Sequence, residues 1–206
     1  SLRLSHNQIT DLKPLTGLTN LEVLWLGNNR ITDLKPLAEA NLKKLESLGL
    51  GNNPLKNLYG LEGCVSLKRL GLAGVRISNF SLLAALKNLE ELDISMHGGN
   101  NKVDLTTITG LDSLKVIRLY RCHLTDIGPL GKLTSLQSIM AVRNSITDLT
   151  PLAGLKRMKE LDLHGNQISD VSALKELRQL TKLLLSNNKI SDVSALKELR
   201  QLTKLL

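Results

Sequence analysis

The stretch Leu21-Glu22-Val23-Leu24-Trp25-Leu26-Gly27-Asn28-Asn29 decides the fold. Leu24 and Leu26 alternate with Val23 and Trp25, the period-two signature of a strand with one buried face. The pair returns at Leu48 and Leu50, Leu70 and Leu72, Leu92 and Ile94, and Ile117 and Leu119. It then continues at Ile139 and Ala141, Leu161 and Leu163, and Leu183 and Leu185, most steps being 22 residues. An Asn closes most units, at Asn7, Asn29, Asn53, Asn144, Asn166 and Asn188, with Cys122 and Val75 in the same place elsewhere. Self-similarity at such a period predicts stacked units, each burying its apolar side against its neighbours.

Counted from the Leu that opens each strand, units begin at Leu21, Leu45, Leu67, Leu89, Leu114, Leu136, Met158, Leu180 and Leu202, after a partial first unit. Two are longer, with insertions around Ala38–Leu42 and at His97–Asn101. Asp or Asn recurs beyond the strand at Asp11, Asp33, Asn57, Asn79, Asp126, Asp148, Asp170 and Asp192, a short acceptor able to cap a half-turn of helix. Pro follows three residues later at Pro14, Pro36, Pro129 and Pro151, where its missing N–H costs nothing. The spacing L-x-x-L-x-L-x-x-N/C is that of a leucine-rich repeat. The expected fold class is therefore α/β: a curved horseshoe solenoid with a parallel sheet on its concave face and short 3₁₀ or α segments on its convex face. It runs as one domain over residues 1–206, in about nine to ten repeats.

Ile9-Thr-Asp-Leu-Lys-Pro-Leu15-Thr-Gly-Leu-Thr-Asn-Leu21 and Ile146-Thr-Asp-Leu-Thr-Pro-Leu152-Ala-Gly-Leu155 resemble the 22-residue repeats of bacterial internalins. They are also similar to those of phosphatase-regulatory repeat proteins. The resemblance covers the whole chain. It implies a surface or secreted protein that binds another protein on its concave sheet. The phosphatase-regulator resemblance implies a regulatory or substrate-recruiting segment of a larger enzyme or phosphatase complex, with a cytoplasmic location.

Composition fits a narrow interior. Hydrophobic residues make up 42% of the chain but aromatics only 2%, so Leu supplies the bulk. Cys64 and Cys122 fall in separate units, on the order of 15 Å apart at strand spacing, too far for a disulfide; both are expected as buried thiols. There is no secretory signal and no apolar run of membrane-spanning length. The chain opens and closes inside a repeat, which reads as a fragment without capping units and open to end-to-end self-association. Residues Ile168–Leu184 and Ile190–Leu206 are the same 17-residue string, which suits a spacer better than a specific site.

A net charge of +8 first suggests nucleic acid. Phosphate binding needs a continuous basic track and base stacking needs aromatics. The sheet face instead alternates Glu91 and Asp93, Arg118 and Arg121, then Glu160 and Asp162, so another protein is the expected partner. The outward columns place Asp93, Arg118, Tyr120, Arg121, Met140, Arg143, Asp162 and His164 together, the Tyr, Met and Arg mixture of an interface core. Trp25 is a separate outward aromatic, also expected to contact the partner, and the Gly and Ala of units three and four form a smooth stretch between. The basic residues of the return segments, such as Lys156 and Arg178, read as a solvated surface paired at i,i+3 with acids like Glu176 and Glu198.

No catalytic residue, metal or cofactor is expected. The four His fall in separate units without zinc-ligand spacing. Asp93–Asp104 has oxygen side chains near calcium-loop spacing but the wrong residues at its fifth and twelfth places. Asp162, His164 and Ser186 share a face, yet nothing around them suggests a pocket that excludes water.

Overall fold

The computed structural model describes residues 1–77, 79–96 and 103–205. Its strands are β1 (Leu2–Arg3), β2 (Val23–Trp25), β3 (Ser47–Gly49), β4 (Arg69–Gly71), β5 (Glu91–Asp93), β6 (Val116–Arg118), β7 (Ser138–Met140), β8 (Glu160–Asp162), β9 (Lys182–Leu184) and β10 (Lys204–Leu205). All pair in parallel and in chain order, forming one ten-stranded sheet. Consecutive strands pair because each return segment brings the chain back one strand spacing further along.

The return segments are mostly 3₁₀ turns, because a unit of this length has no room for a long helix. The exception is the α-helix α1 (Lys35–Glu39), in the unit lengthened around Ala38–Leu42. Extra residues there let the turn relax from 3₁₀ to α. The recurring acceptors act as expected: Asp11 Oδ1 accepts from Lys13 N at 2.9 Å, Asp126 from Gly128 N at 2.6 Å and Asp170 from Ser172 N at 2.7 Å. Asp104 does the same for Thr106 N at 2.9 Å, a member of the column that the insertion hid from the sequence reading. Pro14, Pro36, Pro129 and Pro151 sit in the first turn of their segments.

Leu24, Leu48, Leu70, Leu92, Ile117, Ile139, Leu161 and Leu183 stack as one buried row behind the sheet, and Leu26 through Leu163 form the next. Phe80, the single Phe, is fully buried among aliphatic neighbours. The closing Asn residues tie units together. Asn53 Nδ2 donates to Leu50 O at 2.8 Å and to Leu26 O of the preceding unit at 2.9 Å, while its Oδ1 accepts from Ile31 N at 3.0 Å. Asn29, Asn144, Asn166 and Asn188 repeat that arrangement. Cys122 keeps the donor half: its Sγ reaches back to Ile94 O at 3.2 Å. Cys64 is likewise buried, and no disulfide joins the two.

Outer-surface charges pair differently from expectation. Glu176 meets Lys156 at 3.7 Å, twenty residues back in the chain, and Arg178 at 4.0 Å. The i,i+3 pairing fails because the segments are 3₁₀ turns too short to present a helical face, and the adjacent unit stands closer.

The duplicated stretch shows what stacking does. Val171 is 2% exposed and Val193, its counterpart, 60%; Leu183 is 0% exposed and Leu205 54%. One string of residues is core in one place and surface in the next.

Candidate functional site

The outward faces of the strands form a continuous row. In register across the sheet stand Trp25, Gly49, Gly71, Asp93, Arg118, Met140, Asp162 and Leu184. The period therefore places Asp93, Arg118, Met140 and Asp162 side by side, all half-buried. Trp25 lies four strands from Arg118, so it does not join that group directly. Arg118 Nη1 holds Glu91 at 3.3 Å across the β5–β6 boundary. Lys182 and Glu160 pair similarly at 3.7 Å.

Tyr120 follows β6, and its backbone N–H donates to Ser95 Oγ at 3.2 Å, which pins the turn. The Arg121 guanidinium lies 5.2 Å from the Tyr120 ring centroid, within cation–π range. Arg143 Nη1 donates to the Tyr120 hydroxyl at 3.4 Å. Tyr120 is thus held between two cations from neighbouring units. Among the described residues neither Arg121 nor Arg143 has an acidic partner. Met96, Arg121, His123 and Arg143 border a depression of about 500 Å³ beside them.

Backbone conformation marks the same place. One position per unit, just past the strand, is left-handed: Asn28 (φ 57°), Asn52 (54°), Gly74 (76°), Gly165 (69°) and Asn187 (58°) carry residues that tolerate it, and His6 (60°) holds it in the first unit. In the three consecutive units between, that position holds Met96 (53°), Arg121 (51°) and Arg143 (55°). Long side chains there cost of order 1 kcal/mol each relative to a relaxed backbone. Such strain concentrates where side chains are kept for a task. The recurrence of Asn and Gly in this column was a signal for the conformation that the sequence reading did not use.

The stretch between Trp25 and Asp93 is not the smooth surface expected of it. Gly49 and Gly71 remove side chains from two adjacent strands, and the indole of Trp25 lies over Gly49. A Cβ at Gly49 would stand 2.6 Å from Trp25 Cε3. The result is a hollow of about 260 Å³ lined by Trp25, Ser47, Arg69, Gly71, Glu91, Asp93 and Arg118. The missing side chains, read as flatness in one dimension, become a depression once taller neighbours stand on both sides. Arg69 and Ser47 belong to the first outward column of the strands, from which sequence reasoning drew only Glu91 and Glu160.

Asp162 Oδ1 accepts from the backbone N–H of His164 at 3.2 Å, and His164 Nε2 contacts Asn187 Nδ2 at 3.3 Å. Among the described residues no hydrogen bond joins Asp162 to the His164 ring or His164 to Ser186; the ring faces Asn187 instead. Among the described residues no three His, Cys, Asp or Glu side chains are grouped to hold a metal ion. Half of the calcium-spaced stretch, His97 included, falls within residues 97–102, outside the described residues. Among the described residues no helix is long and apolar enough to cross a membrane.

The sequence profile described as Leucine Rich repeats (2 copies) matches residues 1–39, 19–63 and 136–176, together half of the chain. No curated protein sequence matches. Among solved structures, internalin C2 of Listeria monocytogenes superposes with a TM-score of 0.85 at 32% identity, over 94% of this chain and 89% of that one. Internalin F of the same organism gives 0.81 at 32% identity, over 99% of this chain and 65% of its own. A TLR13–ssRNA13 complex gives 0.78 at 24% identity, over 94% of this chain and 29% of its own, a likeness of fold alone.

Proposed function

Given that this chain belongs to the leucine-rich repeat family, with repeats of the internalin type, we propose that it is a non-catalytic module that grips another protein on its sheet face. The contact centres on Tyr120, Met140 and Arg118, with Arg121, Arg143, Asp93, Asp162 and His164 around them. One observation carries the reading: Tyr120 is clasped by Arg121 and Arg143, and both Arg hold left-handed backbone that Asn or Gly fills in most other units. A rigid sheet holds these groups in fixed rows, so docking orders few side chains. These two cations, without an acidic partner among the described residues, favour an acidic patch on the partner, and Met96 and Met140 supply adaptable apolar contact.

The TLR13 complex shows that such a fold can hold single-stranded RNA. The charge pattern here favours protein instead. Glu91, Asp93, Glu160 and Asp162 interrupt the cations of the sheet face, and Arg118 and Lys182 are engaged by Glu91 and Glu160. A phosphate backbone running along the row would meet these carboxylates at β5 and again at β8.

The test is a protein display library panned against the chain, followed by Tyr120→Ala with Arg143→Glu. Clones selected on the parent chain lose binding to the double variant, while its unfolding free energy from urea titration stays within about 0.5 kcal/mol, as for other surface changes. Clones that bind both equally would reject the patch.

A further inference from the structure

We propose that the hollow between Trp25 and Arg118 is a separate subsite that receives a tyrosine side chain from a bound polypeptide. It is lined by Gly71, which offers no side chain, by Trp25, by the cationic Arg69 and Arg118 and by the acidic Glu91 and Asp93. Trp25 is 42% exposed although its ring already rests on Gly49, so one side of the indole stands uncovered at the edge of the space.

The lining selects among side chains. A lysine or arginine pairing with Asp93 stands beside Arg69 and Arg118, and an aspartate or glutamate pairing with Arg69 stands beside Glu91 and Asp93, so neither sign of charge gains a net attraction. A leucine would fill space but leave the guanidinium groups facing hydrocarbon, with lost hydration and nothing in return. An aromatic ring stacks on or against the indole, and its face attracts the two guanidinium groups. A phenol adds one more match. Asp93 Oδ1 is engaged by the backbone N–H of Ser95 at 2.9 Å, while among the described residues its carboxylate has no cationic partner. The second oxygen is left to accept from a hydroxyl donor. Small floor, aromatic wall, flanking cations and a waiting acceptor together describe a tyrosine.

The subsite lies on β2 to β6; it shares Arg118 and Asp93 with the contact proposed above but needs neither Tyr120 nor Arg143. Its reporter is built in, because Trp25 is the single Trp and gives the single indole N–H signal of the ¹⁵N-labelled chain. The probes are N-acetyl-tyrosinamide, N-acetyl-phenylalaninamide, N-acetyl-leucinamide and N-acetyl-lysinamide. The tyrosinamide shifts the indole cross-peak saturably, with at least about fivefold higher affinity than the leucine and lysine probes. The phenylalanine probe falls between them, and Asp93→Ala removes its difference from tyrosine. Gly71→Met plugs the floor without straining the fold, since a Cβ there has its nearest neighbour, Gly49 Cα, at 3.8 Å. That variant loses the response while keeping its unfolding midpoint, and the smaller Gly71→Ala weakens it. Equal shifts from leucine or lysine probes, no saturable shift from tyrosinamide, or an undiminished response in a folded Gly71→Met chain would each overturn the assignment.

Discussion

The hydroxyl of Tyr120 accepts from the guanidinium of Arg143, one unit further along, at 3.4 Å. That bond crosses from one repeat to the next on the surface, where water competes for both groups. Tyr120→Phe removes the acceptor and leaves the ring beneath Arg121. Its effect on the unfolding free energy is expected to be within about 0.5 kcal/mol. Binding of clones selected on the parent weakens several-fold, because Arg143 is no longer aimed. Surface plasmon resonance on paired parent and variant chains reads the difference; no change in affinity would mean that the ring alone matters.

Replacing Arg121 or Arg143 by Asn sets a residue suited to left-handed backbone where a long one is strained. Each change should raise stability by about 0.5–1 kcal/mol while reducing partner affinity. Urea titrations and binding measurements on the same samples test the pair of effects. A loss of stability would show that the Arg side chains stabilise the turn more than the strain costs.

Asn53→Ala deprives Ile31 N–H and the Leu26 and Leu50 carbonyls of their side-chain partner in a buried place. The expected cost is about 2–4 kcal/mol, the range for stranding more than one buried polar group. Equilibrium unfolding measures it. A cost below 1 kcal/mol would mean that water enters to replace the amide.

Burial pushes the Cys64 thiol up to about 11 from its ordinary 9.0, with the Glu62 charge adding to the effect. Above pH 9.0 the unfolded chain sheds a proton that the folded chain keeps. Stability from this group is therefore intact below that value and falls as pH climbs toward 11. Unfolding midpoints of the parent and Cys64→Val should diverge only in that alkaline window. Rapid reaction of Cys64 with a thiol reagent at pH 8 in the folded chain would contradict it.

Gly49→Ala drives a methyl group to the place where Trp25 Cε3 stands, 2.6 Å away. The indole is the movable partner, so it swings outward and its fluorescence emission shifts to the red. Unchanged emission would mean that the strand yields instead of the ring.

Much of the fold was legible because Leu24, Leu48 and their successors obey one period, and register follows once every strand pairs with the next. The row from Trp25 to Leu184 came from the same arithmetic. What the period could not convey was relief. Gly49 and Gly71 are blank in a list of outward residues, and only the height of Trp25, Arg69 and Arg118 around them makes a hollow. Nor does spacing disclose that Met96, Arg121 and Arg143 occupy strained backbone, since that conformation is inherited from a turn better suited to Asn and Gly. Glu176 was paired within its own segment on helical reasoning, and stacking gave it to Lys156 instead.

Val171 and Val193 are spelled alike, with the same neighbours in sequence, and yet one is sealed while the other faces solvent. In such an architecture a letter has no fixed worth; its worth is an address. Truncating Leu183 to Ala should cost the several kcal/mol typical of an emptied core site, and the identical change at Leu205 almost nothing. Backbone amides near β10 should exchange with deuterium well before those of β5 and β6, the molecule loosening like a coil unwound from its rim.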